Sequence, residues 1–188
     1  MKKSLAIWRE LISMIRLGGE KIVHPRGLFF RIKQDISFST RFYFEEGWGG
    51  KIFLGDTVHT KKNVELNVSP GAIIRIGDHT CFNNNCYIGS LKSVTIGNRC
   101  EFGPNVIVVD HDHDFRSRNG IRDRKYIIED VTIGDDVWIG ANSVILKGTV
   151  LGNGCVVGAG SVINGVYDDN TVIYSARDVE IKPYQRRM

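Results

Sequence analysis

The sequence predicts an all-β solenoid, a parallel β-helix with a short N-terminal helix and one long ejected loop. Three observations predict it. Large side chains recur every six positions. Ile133, Ile139, Ile145, Leu151, Val157 and Ile163 form an unbroken run, and Ile76–Phe82–Ile88 and Ile96–Phe102–Val108 repeat the step. An aliphatic residue followed by Gly and then Asp or Asn recurs as Leu54-Gly55-Asp56, Ile76-Gly77-Asp78, Ile96-Gly97-Asn98, Ile133-Gly134-Asp135 and Leu151-Gly152-Asn153. Glycine is abundant, at 21 of 188 residues, which calls for repeated tight turns. A period of six fits neither a helix face nor a long alternating strand. It fits short strands joined by corners, with one large side chain pointing inward per side, and such repeats build a solenoid.

The elements follow in order. Residues 1–27 form a helical cap: Leu5, Trp8, Leu11, Ile12 and Ile15 share one helix face, Ser4 caps the start and Gly18–Gly19 stop it. That face covers the open end of the solenoid. The alternative is a weak contact with a membrane surface, given the basic residues beside it. Residues 28–175 form the solenoid. Its first coil, residues 28–50, is degenerate and keeps the step through Ile32, Phe38 and Phe44. Three six-residue sides make a coil of 18, and the aliphatic-Gly-Asp/Asn marks are spaced by 22, 20, 37 and 18. Small excesses are corner bulges. The large one is a loop, residues 110–130, thrown out between Val109 and Val131. Residues 176–188 form a tail.

Composition narrows the function. The net charge of +4, mixed in sign, gives no reason to expect a nucleic-acid partner. No apolar stretch is long enough to span a bilayer, and the N-terminus is a poor signal peptide. Cys81, Cys86, Cys100 and Cys155 form no CxxC pair. They read as reduced thiols of a cytoplasmic protein, and three of them fall on the second inward position of a side, where a small group is needed.

The chemistry concentrates in the ejected loop. It begins Asp110-His111-Asp112-His113-Asp114, which places two of the five histidines at the root of the longest loop. Long loops in compact domains tend to be functional. A neutral imidazole, with a reference pKa near ~6.5, is suited to take a proton from a hydroxyl. Asp110, Asp112, Asp114 or Glu129 could hold its other nitrogen. Asn83 and Asn85, two apart on a short strand, face the same way and can both donate to and accept from sugar hydroxyls, or else form a corner ladder. Trp138 follows the loop and could wall a pocket.

This pattern resembles the hexapeptide-repeat acyltransferases, over roughly residues 50–177. The segments Phe82-Asn83-Asn84-Asn85-Cys86, the histidine motif, Arg118-Asn119 and Val131-Thr132-Ile133-Gly134-Asp135-Asp136-Val137-Trp138 are most similar to O-acetyltransferases of the maltose, galactoside and nodulation type and their polysaccharide-cluster relatives. The resemblance implies a left-handed β-helix, a homotrimer and acetyl-CoA as co-substrate. It implies direct transfer to a hydroxyl of a sugar or a polysaccharide or lipopolysaccharide precursor. Counted back from Arg118-Asn119, His111 takes the place of the catalytic base; counted back from Trp138, His113 is nearer. The closer anchor selects His111. Gly140, Ala141, Gly158, Ala159 and Gly160 take the places that line the CoA arm, and Arg177 that of a phosphate contact, helped by Lys182, Arg186 or Arg187. Asn164-Gly165 stands where relatives carry a basic residue. Other readings are N-acetyl transfer to an amino sugar or antibiotic, a zinc site of the carbonic-anhydrase kind, and a non-catalytic scaffold. The zinc reading needs a third histidine at a matching distance, which the sequence lacks, so no metal is expected.

Overall fold

The structure is a computed structural model that describes residues 2–31, 33–45 and 49–176, with backbone alone for 2–7 and 9. The described residues form α1 (Lys2–Val23) and a left-handed parallel β-helix of six coils and two sides of a seventh. Its three faces are two seven-stranded sheets and one six-stranded sheet. We call them faces A, B and C in chain order, so the first coil runs Leu28–Phe30 (A), Gln34–Ile36 (B) and Arg41–Phe44 (C). Register passes straight across the ejected segment, since Val94 pairs with Val131 and Phe102 with Ile139.

The six-residue step is the inward row. Ile133, Ile139, Ile145, Leu151, Val157 and Ile163 are all buried, as are the second inward positions Cys86, Cys100, Val106, Val137, Ser143, Thr149, Cys155 and Ser161. All four cysteines are free thiols. Burial pushes the Cys100 thiol up to about 11, which marks it as a packing group.

The aliphatic-Gly-Asp/Asn mark is the corner between faces A and B, and both of its polar features have a physical cause. A Cβ on Gly77 would lie 2.5 Å from the Gly97 carbonyl carbon, so only glycine lets successive coils stack there. The Asp or Asn side chain then accepts the backbone N–H of its counterpart one coil earlier. Asp56 N–H donates to Asp78 Oδ1 at 2.7 Å, Asp78 to Asn98 at 2.8 Å and Asn98 to Asp135 at 2.8 Å. Each corner thereby closes a donor that the parallel ladder leaves open.

Three expectations need correction. In the first coil the inward step is Phe30–Ile36–Phe42, which pair with Leu54, Thr60 and Leu66. Phe38 is 81% exposed, Phe44 is half-buried and Ile32 lies outside the described residues. Gln34 stands in for the missing Gly-Asp mark, donating to the Gly55 carbonyl at 2.7 Å and accepting from Val58 N–H at 3.2 Å. Second, α1 begins before Ser4 and runs through Gly18–Gly19 to Val23. Lys21 Nζ holds its far end by donating to the Pro25 and Leu28 carbonyls at 2.6 and 2.7 Å. Third, the helix docks through the face opposite the expected one. Ser13 and Leu17 are buried, with Ser13 Oγ donating to the Ile36 carbonyl and accepting from its N–H, while Trp8, Leu11, Ile12 and Ile15 are exposed.

Two glycine substitutions separate these constraints. Gly97→Ala places a Cβ 2.5 Å from the Gly134 carbonyl oxygen and should destabilise the fold by about 1–3 kcal/mol in urea unfolding. Gly18→Ala meets no described atom within 4 Å, inside a helix, and should stabilise it by about 0.5–1 kcal/mol.

Candidate active site

The site begins at the corner between faces C and A, where the fourth coil ends at Ile107–Val109. The segment that follows is a β-hairpin. His111–His113 pairs antiparallel with Tyr126–Ile128, His111 opposite Ile128 and His113 opposite Tyr126. Glu129 N–H donates to the Asp110 carbonyl at 3.0 Å and closes its base. The tip is a single turn, Gly120–Asp123, with the Asn119 side chain donating to Asp123 Oδ1 at 2.7 Å.

Asp110 is 0% exposed and roots the hairpin in the solenoid. Its Oδ2 accepts from Ser90 Oγ and from the N–H groups of Lys92 and Ser93, each at 2.8 Å. Its Oδ1 accepts from Leu91 N–H at 2.8 Å and faces His111 Nδ1 at 2.9 Å. Burial by itself would push this carboxyl up. The bonds from His111, from the Leu91 and Lys92 amides and from Ser90 outweigh burial and hold it below the usual carboxylate range. An ionised carboxylate only accepts, so Nδ1 of His111 donates, and in the neutral ring the free lone pair is on Nε2. Of the four acids that could have oriented the imidazole, the structure selects Asp110.

His111 is 22% exposed at its side chain, whereas His113 is exposed. Both rings rest on Tyr126, His111 edge-on at 5.6 Å and His113 tilted at 4.7 Å. Lys147, from the turn between the fifth and sixth coils, reaches Glu129 Oε1 at 3.1 Å and Asp112 Oδ2 at 3.8 Å. It ties both strands of the hairpin to the body. Sequence reasoning missed Lys147, because a lysine in a turn 35 positions from Asp112 gives no local signal. Tyr126 was missed because the sequence does not show that the loop folds back as a hairpin with Tyr126 opposite His113.

The other expected residues lie at a different corner, between faces B and C. Asn83 and Asn85 are in the corner turn rather than on a strand. Asn85 adopts φ = 60°, which Asn tolerates. Its side chain joins a ladder, accepting from Asn63 Nδ2 at 3.2 Å and donating to Asn105 at 3.0 Å, and Asn105 donates to Asn142. Gly140, Ala141, Ala159 and Gly160 follow on the same corner. A Cβ on Gly140 would lie 2.5 Å from Ala159 N, so stacking accounts for that glycine. Ala159 is exposed, and Trp138 stands 57% exposed on face B beside them. Face C separates this group from His111 within one chain. Arg177, Lys182, Arg186 and Arg187 lie outside the described residues. Among the described residues no three His, Cys, Asp or Glu side chains come together to hold a metal ion.

The family described as bacterial transferase hexapeptide (six repeats) matches residues 130–165. Among solved structures, the hexapeptide-repeat-containing acetyltransferase VCA0836 from Vibrio cholerae is 30% identical. The match covers 65% of this chain and 67% of that one, with a TM-score of 0.54. The chain belongs to the hexapeptide-repeat acyltransferases. A second structure of VCA0836, complexed with acetyl coenzyme A, is 24% identical over 92% of this chain and 81% of that one, with a TM-score of 0.55. A variant of AntD, an N-acyltransferase from Bacillus cereus, in complex with dTDP and coenzyme A, shares the fold at 21% identity. It covers 90% and 89% of the two chains with a TM-score of 0.66. The polySia-specific acetyltransferase NeuO shares it at 23% identity over 79% and 68%, with a TM-score of 0.63. No curated protein matches the sequence at a significant level.

In this acyltransferase Asp110→Asn probes what the hairpin root contributes to stability. An amide cannot accept from all five donors, so stability at pH 7 should fall by about 3 kcal/mol or more. The wild-type contribution is present above the unfolded carboxylate pKa, near ~3.9, and is lost as pH falls through the depressed folded value. Thermal unfolding from pH 6 downward should therefore show a shallower acid loss in the variant.

Proposed function

We propose that this acyltransferase moves the acetyl group of acetyl-CoA to a hydroxyl of a sugar, in a polysaccharide or lipopolysaccharide precursor, with His111 as the general base. The observation that carries the reading is the fixed imidazole. Asp110 holds Nδ1, so in the neutral ring Nε2 is the nitrogen that can take a proton, without having to search for its tautomer. An alcohol is a weak nucleophile at neutral pH and the thioester is already activated, so removal of the hydroxyl proton is the main need. Nε2 takes the proton, the oxygen attacks the thioester carbonyl, the carbon–sulfur bond breaks, and the proton passes to the departing thiolate. His113 stands on the same strand as a solvent-facing neighbour.

The co-substrate is supported by acetyl coenzyme A in the VCA0836 complex and by coenzyme A in AntD. The carbohydrate acceptor is supported by the polySia specificity of NeuO. Exposed Ala159 and half-buried Gly160 leave the B–C corner open to a pantetheine arm, with Trp138 beside it and Asn83 at the corner two coils above Ala141. Arg177 would meet a CoA phosphate. Face C keeps that corner from the His111 of its own chain, so a homotrimer, in which a neighbour's corner lies against the hairpin, completes the site. The hairpin itself supports this: Phe115, Ile121, Tyr126, Ile127 and Ile128 are all exposed in a single chain. The setting is the cytoplasm, where acetyl-CoA is available.

His111→Ala should lower turnover by roughly 10²–10⁴-fold in a thiol-release assay with acetyl-CoA and sugar acceptors, with CoA affinity nearly unchanged, and His113→Ala should be milder. Activity on amino sugars but on no hydroxyl acceptor would overturn O-transfer. Light scattering should return three times the chain mass; a monomer at micromolar concentration would overturn the shared site.

A further inference from the structure

Helix α1 presents an uncovered apolar stripe. Trp8, Leu11, Ile12, Ile15, Ile22 and Val23 are exposed, Trp8 by 62% and Ile15 by 69%. At 100° per residue they fall within about 60° of one line along the helix. Ser13 and Leu17, which dock the helix on the first coil, lie on the opposite side. The helix therefore spends its docking face on the solenoid and turns a longer apolar face outward. No described helix is long and apolar enough to cross a membrane, so a face like this lies along an apolar boundary rather than through one.

Charge says which boundary. Residues 1–44, which make up the helix and the first coil, carry nine Lys or Arg and three Asp or Glu. That is a net +6 in a chain whose total is +4, so the remaining residues are net −2. Residues 45–176, the rest of the solenoid, are net −4, so within the solenoid and its helix the positive excess gathers at the end that bears the stripe. A second copy of the same helix would bring the same positive charge against it. An anionic lipid surface satisfies both features, taking the apolar stripe into its acyl boundary and the cations among its headgroups.

We infer that α1 is a membrane-surface anchor, which docks the helix end of the β-helix onto anionic lipid bilayers. The inference is independent of the acyl-transfer chemistry. The whole chain should co-sediment with vesicles in which a third of the phosphatidylcholine is replaced by phosphatidylglycerol. It should bind them at least about tenfold more tightly than vesicles of phosphatidylcholine alone, and lose most of that preference in about 0.5 M salt. Ile15→Asp, at an exposed position, should weaken binding at least about tenfold with unchanged circular dichroism and unchanged mass in light scattering. Ile15→Leu should bind as the wild type does. The inference is overturned if anionic vesicles are not bound, or if Ile15→Asp binds undiminished. It is also overturned if Ile15→Asp lowers the oligomeric mass, which would make the stripe a contact between copies.

Discussion

The buried carboxylate of Asp110 is the interaction on which the hairpin and the chemistry proposed for it depend. A group 0% exposed to solvent is costly as a charge unless it is fully bonded, and five donors converge on it. Four of them come from the turn Ser90–Ser93, one coil earlier. The arrangement repeats, at the C–A corner, the device that Asp78, Asn98 and Asp135 provide at the A–B corner, where a side-chain oxygen accepts the backbone N–H of the preceding coil. Asp110 differs in being fully buried, in gathering four donors from that turn, and in having the imidazole next to it as a fifth. The proposed active site thus grows out of a device that the fold uses elsewhere to stack its coils.

That root explains how a hairpin thrown out of a repetitive scaffold can hold the His111 imidazole in place. Asp110 fixes the first residue of the hairpin, Glu129 closes its base on the Asp110 carbonyl, and Lys147 draws the two strands toward the sixth coil. Tyr126 then gives both histidine rings a common wall. The site is placed by rigid elements, as the proposed catalysis by a positioned base requires.

Much of this was legible in the sequence, for identifiable reasons. The inward row from Ile133 to Ile163 was readable because each side is six residues long with no insertion, so burial has a strict period. The loop was readable as an excess over a coil, and its histidines as its chemistry. The first coil was misread by two positions because Phe30-Arg31 lacks the Gly-Asp mark, leaving no anchor for the register, and Gln34 does that work from within a strand. Asn83 and Asn85 were misread as strand residues because sides here are as short as two residues, Cys81–Phe82, and the corner follows at once. The helix overran Gly18–Gly19 because its hold on the solenoid comes from Ser13, Leu17 and Lys21, contacts that local propensity cannot report. The choice among Asp110, Asp112, Asp114 and Glu129 needed the coil above, which contributes the donors.

The claim at the centre of the account is that Asp110 sets the tautomer of His111. Isotope-edited NMR of the imidazole nitrogens measures that tautomer directly at neutral pH. The account predicts a His111 ring protonated at Nδ1, with that proton strongly deshielded by its bond to the carboxylate, and an unprotonated Nε2. A neutral ring protonated at Nε2, or an equal mixture of the two tautomers, would contradict it.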